Sequence, residues 1–139
     1  MKITLDASVG IKWFSGKDES NIDIALNIQQ QKLQNKMEIV VPDLFFFEIL
    51  NVLLKKKYFR IDDIFRASES LYLMEMEIIY PDKKIIDKAI DISGGSGLTF
   101  YDSLYIAVAL NRHTSLITED HEILRYRSKF RFIRSLDEF

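Results

Sequence analysis

A chain of 139 residues fits one domain, and a 47% hydrophobic content can supply its core. With 29% charged residues and a formal net charge of −2, the total charge carries no basic footprint of a nucleic-acid binder, although local charge can oppose it. Cysteine is absent, which excludes disulfides and thiolate metal sites and accords with a reducing cytoplasm.

Residues 3–5 are a first strand candidate and 7–14 a short helix. The stretch 20–36 is amphipathic through Ile22, Leu26 and Leu33, and Ser20 with Asp23 has capping-box spacing at its start. Residues 38–41 form a second strand closed by Pro42, after which Asp43 caps a helix reaching about residue 58. A helix over 62–76 leads to a third strand, 77–80, closed by Pro81. Asp82 opens a helix to about residue 92, and SGGSG, 93–97, reads as a loop. The spacing then predicts a helix over 100–113, a strand over 115–117, a helix over 121–129 and a last strand over 130–133. Strands alternating with helices imply parallel βαβ units with helices on both faces, and sites at the carboxyl ends of the strands. No run approaches the roughly 20 apolar residues of a membrane span, and Asp6 interrupts the N-terminus before any signal-like stretch. The expectation is one soluble, cytoplasmic domain over 1–139, without a membrane partner.

Four acids stand out. Asp6 follows the first strand in KITLD, and Asp120 follows the fourth in SLITED. Asp102 lies in the first turn of TFYDSLYIAVAL, and Glu48 interrupts the apolar run LFFFEILNVLL. Each alone admits a plain structural role. Asp6 and Asp120 could cap the helices that follow them, and Asp102 stands three residues after Thr99, a capping-box spacing. Glu48, Asn51 and Lys55 share a helix face that reads equally as a narrow solvated stripe. Taken together, two strand ends and two helices would bring four carboxylates to one rim of the sheet. Clustered carboxylates repel and raise one another's pKa, a cost that a divalent cation removes. Mg²⁺ or Mn²⁺ takes oxygen ligands and keeps waters, and such an ion can activate a water and stabilise in-line displacement at phosphorus.

Other chemistries lack their residues. His113 and His121 give no ligand pair and no nucleophile triad, there is no G-x-S-x-G elbow, and SGGSG lacks the Gly-Lys-Ser/Thr of a P-loop. A phosphoryl-accepting domain would want a second acid two residues after Asp6, where Ser8 stands, or an acid after the third strand, where the chain has Tyr80 and Pro81. Two basic-aromatic stretches, KKKYFR at 55–60 and RYRSKFRFIR at 125–134, could meet RNA phosphates and stack on bases, or could be solvated faces. Trp13 and Phe14 either cover the core or line a groove for a partner peptide.

The acidic segments together resemble the PIN-domain family, most closely its VapC-type toxins of type II toxin–antitoxin systems, over nearly the whole chain. LDASVGIKWF is similar to the family's first motif, VPDLFFFEILNVLLK to its second, GLTFYDSLYIAVAL to its third and LITEDHEIL to its fourth. The resemblance implies an α/β, three-layer α/β/α fold with a central parallel sheet of four to five strands. It implies a Mg²⁺- or Mn²⁺-dependent endoribonuclease with an RNA substrate, usually a homodimer held inactive by a VapB-type antitoxin. Carried over, Asp6, Glu48, Asp102 and Asp120 become a catalytic, metal-binding quartet. Asp6 and Asp102 would be direct ligands; Glu48 a ligand through water or a base; Asp120 the holder of a second ion or an outer water. Ser8 and Thr118 orient carboxylates or merely cap turns, and spacing favours Asp120 over its neighbour Glu119 as the fourth acid. A housekeeping RNA-processing PIN nuclease and a catalytically silent PIN-fold binding domain remain as alternatives.

Overall fold

The computed structural model describes residues 1–14 and 20–139. Among these, five strands form one sheet: β1 Lys2–Leu5, β2 Glu38–Pro42, β3 Glu77–Ile79, β4 Ser115–Thr118 and β5 Ile133–Ser135. Their order is β3-β2-β1-β4-β5, and every pairing is parallel. The inner strands carry Leu5, Ile39, Val40, Val41, Leu116 and Ile117 without exposure. Such continuous apolar runs belong to strands covered on both faces.

The helices are α1 Ala7–Gly10, α2 Ile22–Leu33, α3 Leu44–Lys55, α4 Ile61–Leu73, α5 Lys83–Ser96, α6 Phe100–Arg112 and α7 His121–Leu124. The chain steps outward from β1 through β2 to β3, then returns to place β4 on the other side of β1. Right-handed crossovers in opposite directions put helices on both faces of the sheet. Helix α6 lies along β1, β2 and β4, with α5 packed on it, and its residues 103–109 are all buried. On α1, a Cβ at Gly10 would come within 2.5 Å of the Phe45 ring and 2.6 Å of Ile49 Cδ1. Glycine is therefore what lets α1 lie this close to α3, the helix that carries Glu48. The reversal of direction between β1 and β4 makes a topological switch point, and a crevice opens beyond the carboxyl ends of such strands.

Several local expectations need correction. Pro42 belongs to β2 and stands opposite Ile79; the missing N–H costs nothing there because the next residue, Asp43, donates to the Ile79 carbonyl. The Ser20–Asp23 box does not form: α2 starts at Ile22 behind Asn21, which sits in the left-handed region at φ 59° with no side-chain cap. The glycine stretch at 93–97 is not a loop but the last turn of α5, ended by Gly97 at φ 83°. Glycines cost a helix about 1 kcal/mol each, offset here by Ser96 Oγ donating to Ile92 O, Ser93 Oγ donating to Leu98 O, and burial of Leu98. Helix α3 stops at Lys55 rather than near residue 58. The final helix spans only His121–Leu124, then tight turns carry the chain to β5, which begins at Ile133 rather than 130.

Candidate active site at the carboxyl edge of the sheet

Asp6 is the first residue after β1 and is nearly fully buried, with its backbone N–H bonded to Ile117 O of β4. It occupies the N-cap position of α1 yet makes no side-chain cap bond. Its Oδ2 instead accepts from Ser8 Oγ at 2.6 Å and from Thr118 Oγ1 at 2.9 Å. The direction of both bonds is set by the backbone. Ser8 Oγ accepts the Glu119 N–H and Thr118 Oγ1 accepts the Asp120 N–H, each at 3.0 Å, so each hydroxyl proton is left for Asp6. Burial nevertheless raises the Asp6 pKa, opposed by the two hydroxyls and assisted by the charge of Asp120.

Asp120 follows β4 and does cap α7: Oδ1 accepts from Glu122 N at 2.8 Å and Ile123 N at 3.3 Å. Its charge still acts on Asp6, Glu48 and Asp102. Glu119 is engaged elsewhere, with Oε1 accepting from Leu136 N at 3.3 Å and Oε2 3.9 Å from Lys12 Nζ. Asp102 lies in the first turn of α6, where its backbone N–H is taken by the Thr99 hydroxyl at 3.1 Å. Its pKa is pushed up to about 6, first by burial and then by the charges of Asp120 and Asp6.

Glu48 lies in α3 and is half-buried, whereas Asn51 and Lys55 on the same stripe are exposed. Its pKa is raised by burial first and then by Asp6, Asp102 and Asp120, with one hydrogen bond opposing. That bond comes from Tyr105, whose hydroxyl donates to Glu48 Oε1 at 2.6 Å. Tyr105 escaped the sequence reading because YIAVAL reads as pure core; the usable signal is its position one turn after Asp102, on the same helix face.

The four acids thus lie within one another's electrostatic reach. Among the described residues none of them is paired with a lysine or arginine. Among the same residues no three histidine, aspartate or glutamate side chains stand close enough together to hold a metal ion between them as they are. The arrangement is an open, all-oxygen donor set under mutual repulsion. That chemistry fits a hard divalent cation that retains waters and takes only one or two carboxylates directly.

Neither basic stretch supplies an ion-pair partner to the four acids among the described residues. Lys55 is seven residues beyond Glu48, about 10 Å along the helix axis. Arg125 pairs with Glu122, and Arg127 with Glu138. Trp13 packs edge-on against Phe45 and donates to Ala25 O at 2.8 Å, as a core-covering residue would.

Ser103, beside Asp102, is fully buried, and its Oγ has no hydrogen-bond partner among the described residues. Ser103→Ala is expected to raise stability by about 1 kcal/mol, since it removes an unsatisfied hydroxyl and favours the helix. Urea midpoints of the two proteins check this; a destabilised alanine variant would mean the hydroxyl has an unseen partner.

No curated protein matches the chain. Solved structures do. The protein PAE2754 from Pyrobaculum aerophilum aligns over 99% of this chain and 91% of its own, with TM-score 0.70 and 21% identity. VapBC2 from Rickettsia felis, bound to a DNA fragment from their promoter, aligns over 97% of both chains, with TM-score 0.66 and 14% identity. A toxin–antitoxin complex from Klebsiella pneumoniae covers 85% of this chain and 86% of that one, with TM-score 0.62 and 18% identity. At these identities the likeness is one of fold. The PIN domain model matches residues 3–129, a span that includes all four acids, β2 to β4 and all of β1 but Lys2, and the chain belongs to the PIN domain family.

Proposed function

We propose that the chain is a Mg²⁺- or Mn²⁺-dependent endoribonuclease, the VapC-type toxin of a toxin–antitoxin pair, acting as a single PIN domain over 1–139. The observation that carries this is the edge of the sheet. Asp6 and Asp120 flank the switch point between β1 and β4, and Glu48 and Asp102 join them, all four without a cationic partner among the described residues. Asp6 and Asp102 would hold the ion, with Asp120 on its outer side. Bound there, it would supply Lewis-acid polarisation of a phosphoryl oxygen and acidify a water. Ser8 and Thr118 keep Asp6 in one orientation. Glu48, raised by burial and by its neighbours, would reach the ion through one of its waters and would take a proton from the attacking water.

Toxin biology is supported by the family and by neighbours described as toxin–antitoxin complexes. A VapB-type antitoxin and a homodimer belong to this reading. So does action in the cytoplasm, and no helix among the described residues is long and apolar enough to cross a membrane. The test is incubation of purified protein with structured and single-stranded RNA in Mg²⁺, in Mn²⁺ and in chelator. Cleavage only with metal is expected. Equal cleavage in chelator would overturn the metal reading, and metal binding without cleavage of any RNA would favour the silent binding domain.

A further inference from the structure

We propose that Tyr105 is a positioning residue that holds Glu48 in its working orientation through a donated hydrogen bond; this rests on the nuclease reading above. Tyr105 is fully buried in α6, one turn after Asp102. Its hydroxyl donates to Glu48 Oε1 at 2.6 Å. One hydroxyl therefore ties helix α6 to helix α3, the two elements that carry Asp102 and Glu48. A phenol carries its proton at neutral pH, and a carboxylate only accepts, so the bond runs from Tyr105 to Glu48.

The consequence concerns a flexible side chain. A free glutamate loses rotamer entropy when it is ordered. A short O–H···O⁻ bond, about twice as strong as a neutral one, meets that cost at folding rather than at each encounter with ion and water. It also engages one of the two oxygens, since Oε1 accepts from Tyr105. The ring and the hydroxyl are separable, because phenylalanine fills the same space without the donor.

Mn²⁺ binding is measured from the free-ion electron paramagnetic resonance signal for the parent, Tyr105→Phe, Glu48→Gln and the double variant. Loss of a hydrogen bond to a ligand's far side typically costs 10- to 100-fold in metal affinity or activity. Tyr105→Phe is expected to weaken Mn²⁺ binding about tenfold, and to add nothing once Glu48→Gln is present. In RNA cleavage, kcat should fall about tenfold with KM unchanged, a split that loss of packing would not produce. Unchanged Mn²⁺ affinity in a folded Tyr105→Phe, or full additivity with Glu48→Gln, would overturn the inference while leaving the nuclease standing. A parent that binds no Mn²⁺ overturns the reading on which it rests, and the inference with it. One measurement needs no variant: with ¹³C at the Tyr105 ring carbon bearing oxygen, the hydroxyl should exchange slowly enough to give separate protonated and deuterated signals. A single averaged signal counts against the bond.

Discussion

Asp6→Asn is expected to lower metal-dependent RNA cleavage by on the order of 10³-fold while raising the stability of the metal-free protein. The first half follows from charge. Asparagine keeps the shape and can still accept from Ser8 and Thr118, but it has lost the anion that a divalent ion needs. Metal stabilisation of developing charge is worth several kcal/mol, and each 1.36 kcal/mol is tenfold in rate. The second half follows from burial. Asp6 is nearly sealed from water, and its pKa is raised chiefly for that reason, so its ionised form opposes folding at neutral pH. Relief of about 1 kcal/mol amounts to a few degrees in melting temperature for a chain of this length. Opposite signs on rate and stability mark a residue kept for function rather than for the fold. A variant cleaving within tenfold of the parent would remove Asp6 from the catalytic set. One that melts lower with activity lost would mean that Asp6 is a structural carboxylate.

Much of this edge was legible in the chain, and the reasons are specific. Asp6 directly follows the short run ITL and Asp120 stands two residues after SLIT, and an acid there falls at a strand's carboxyl end whatever the order of strands. Glu48 was visible because an isolated charge inside LFFFEILNVLL has no place in a core. What stayed hidden was non-local. The order β3-β2-β1-β4-β5 depends on which strands pair across the chain, and it is this order that makes the crevice lie between Asp6 and Asp120. Ser8 and Thr118 were legible as hydroxyls near carboxylates, but that both converge on one oxygen of Asp6 required the β1–β4 register. Tyr105 was hidden by its own chemistry, since an aromatic in an apolar helix gives no sign of where its hydroxyl ends. The glycines at 94 and 95 misled because their propensity is a local average, whereas Ser93 and Ser96 closed the turn with specific bonds that propensity does not weigh.

In chelator, stability is expected to fall as pH rises from about 4 towards 7, and saturating Mg²⁺ or Mn²⁺ should abolish or reverse that fall. Asp6, Glu48 and Asp102 all have folded-state pKa values raised above the ordinary values of 3.8, 4.5 and 3.8 for their side chains. A carboxyl with a raised pKa still holds its proton in the native state after the unfolded chain has lost its own. The native state then binds more protons, so stability is full below about pH 4 and declines through the window up to the folded pKa. For Asp102 that window runs from 3.8 to about 6. At 1.36 kcal/mol per pKa unit its full effect would be about 3 kcal/mol, reduced to about 1–2 kcal/mol because the group is partly exposed and screened. Asp6 and Glu48 act in the same direction. Glu77 opposes them: its pKa is lowered by Lys2 and then Arg112, so its contribution is lost as pH falls. That cluster is largely exposed, and moderate salt suppresses it. A divalent ion selects the ionised carboxylates, so its affinity grows with pH. At a hundred times its dissociation constant it adds about 2.7 kcal/mol. Thermal melts from pH 4 to 8 in moderate salt, with chelator or with metal, separate the cases. A metal-induced shift in melting temperature that grows from pH 5 to pH 8, and shrinks in Asp102→Asn, would place the ion among these acids. A shift of equal size at both pH values would place it elsewhere, and a chelated protein that gains stability across the window would mean that the four carboxylates are not in conflict at all.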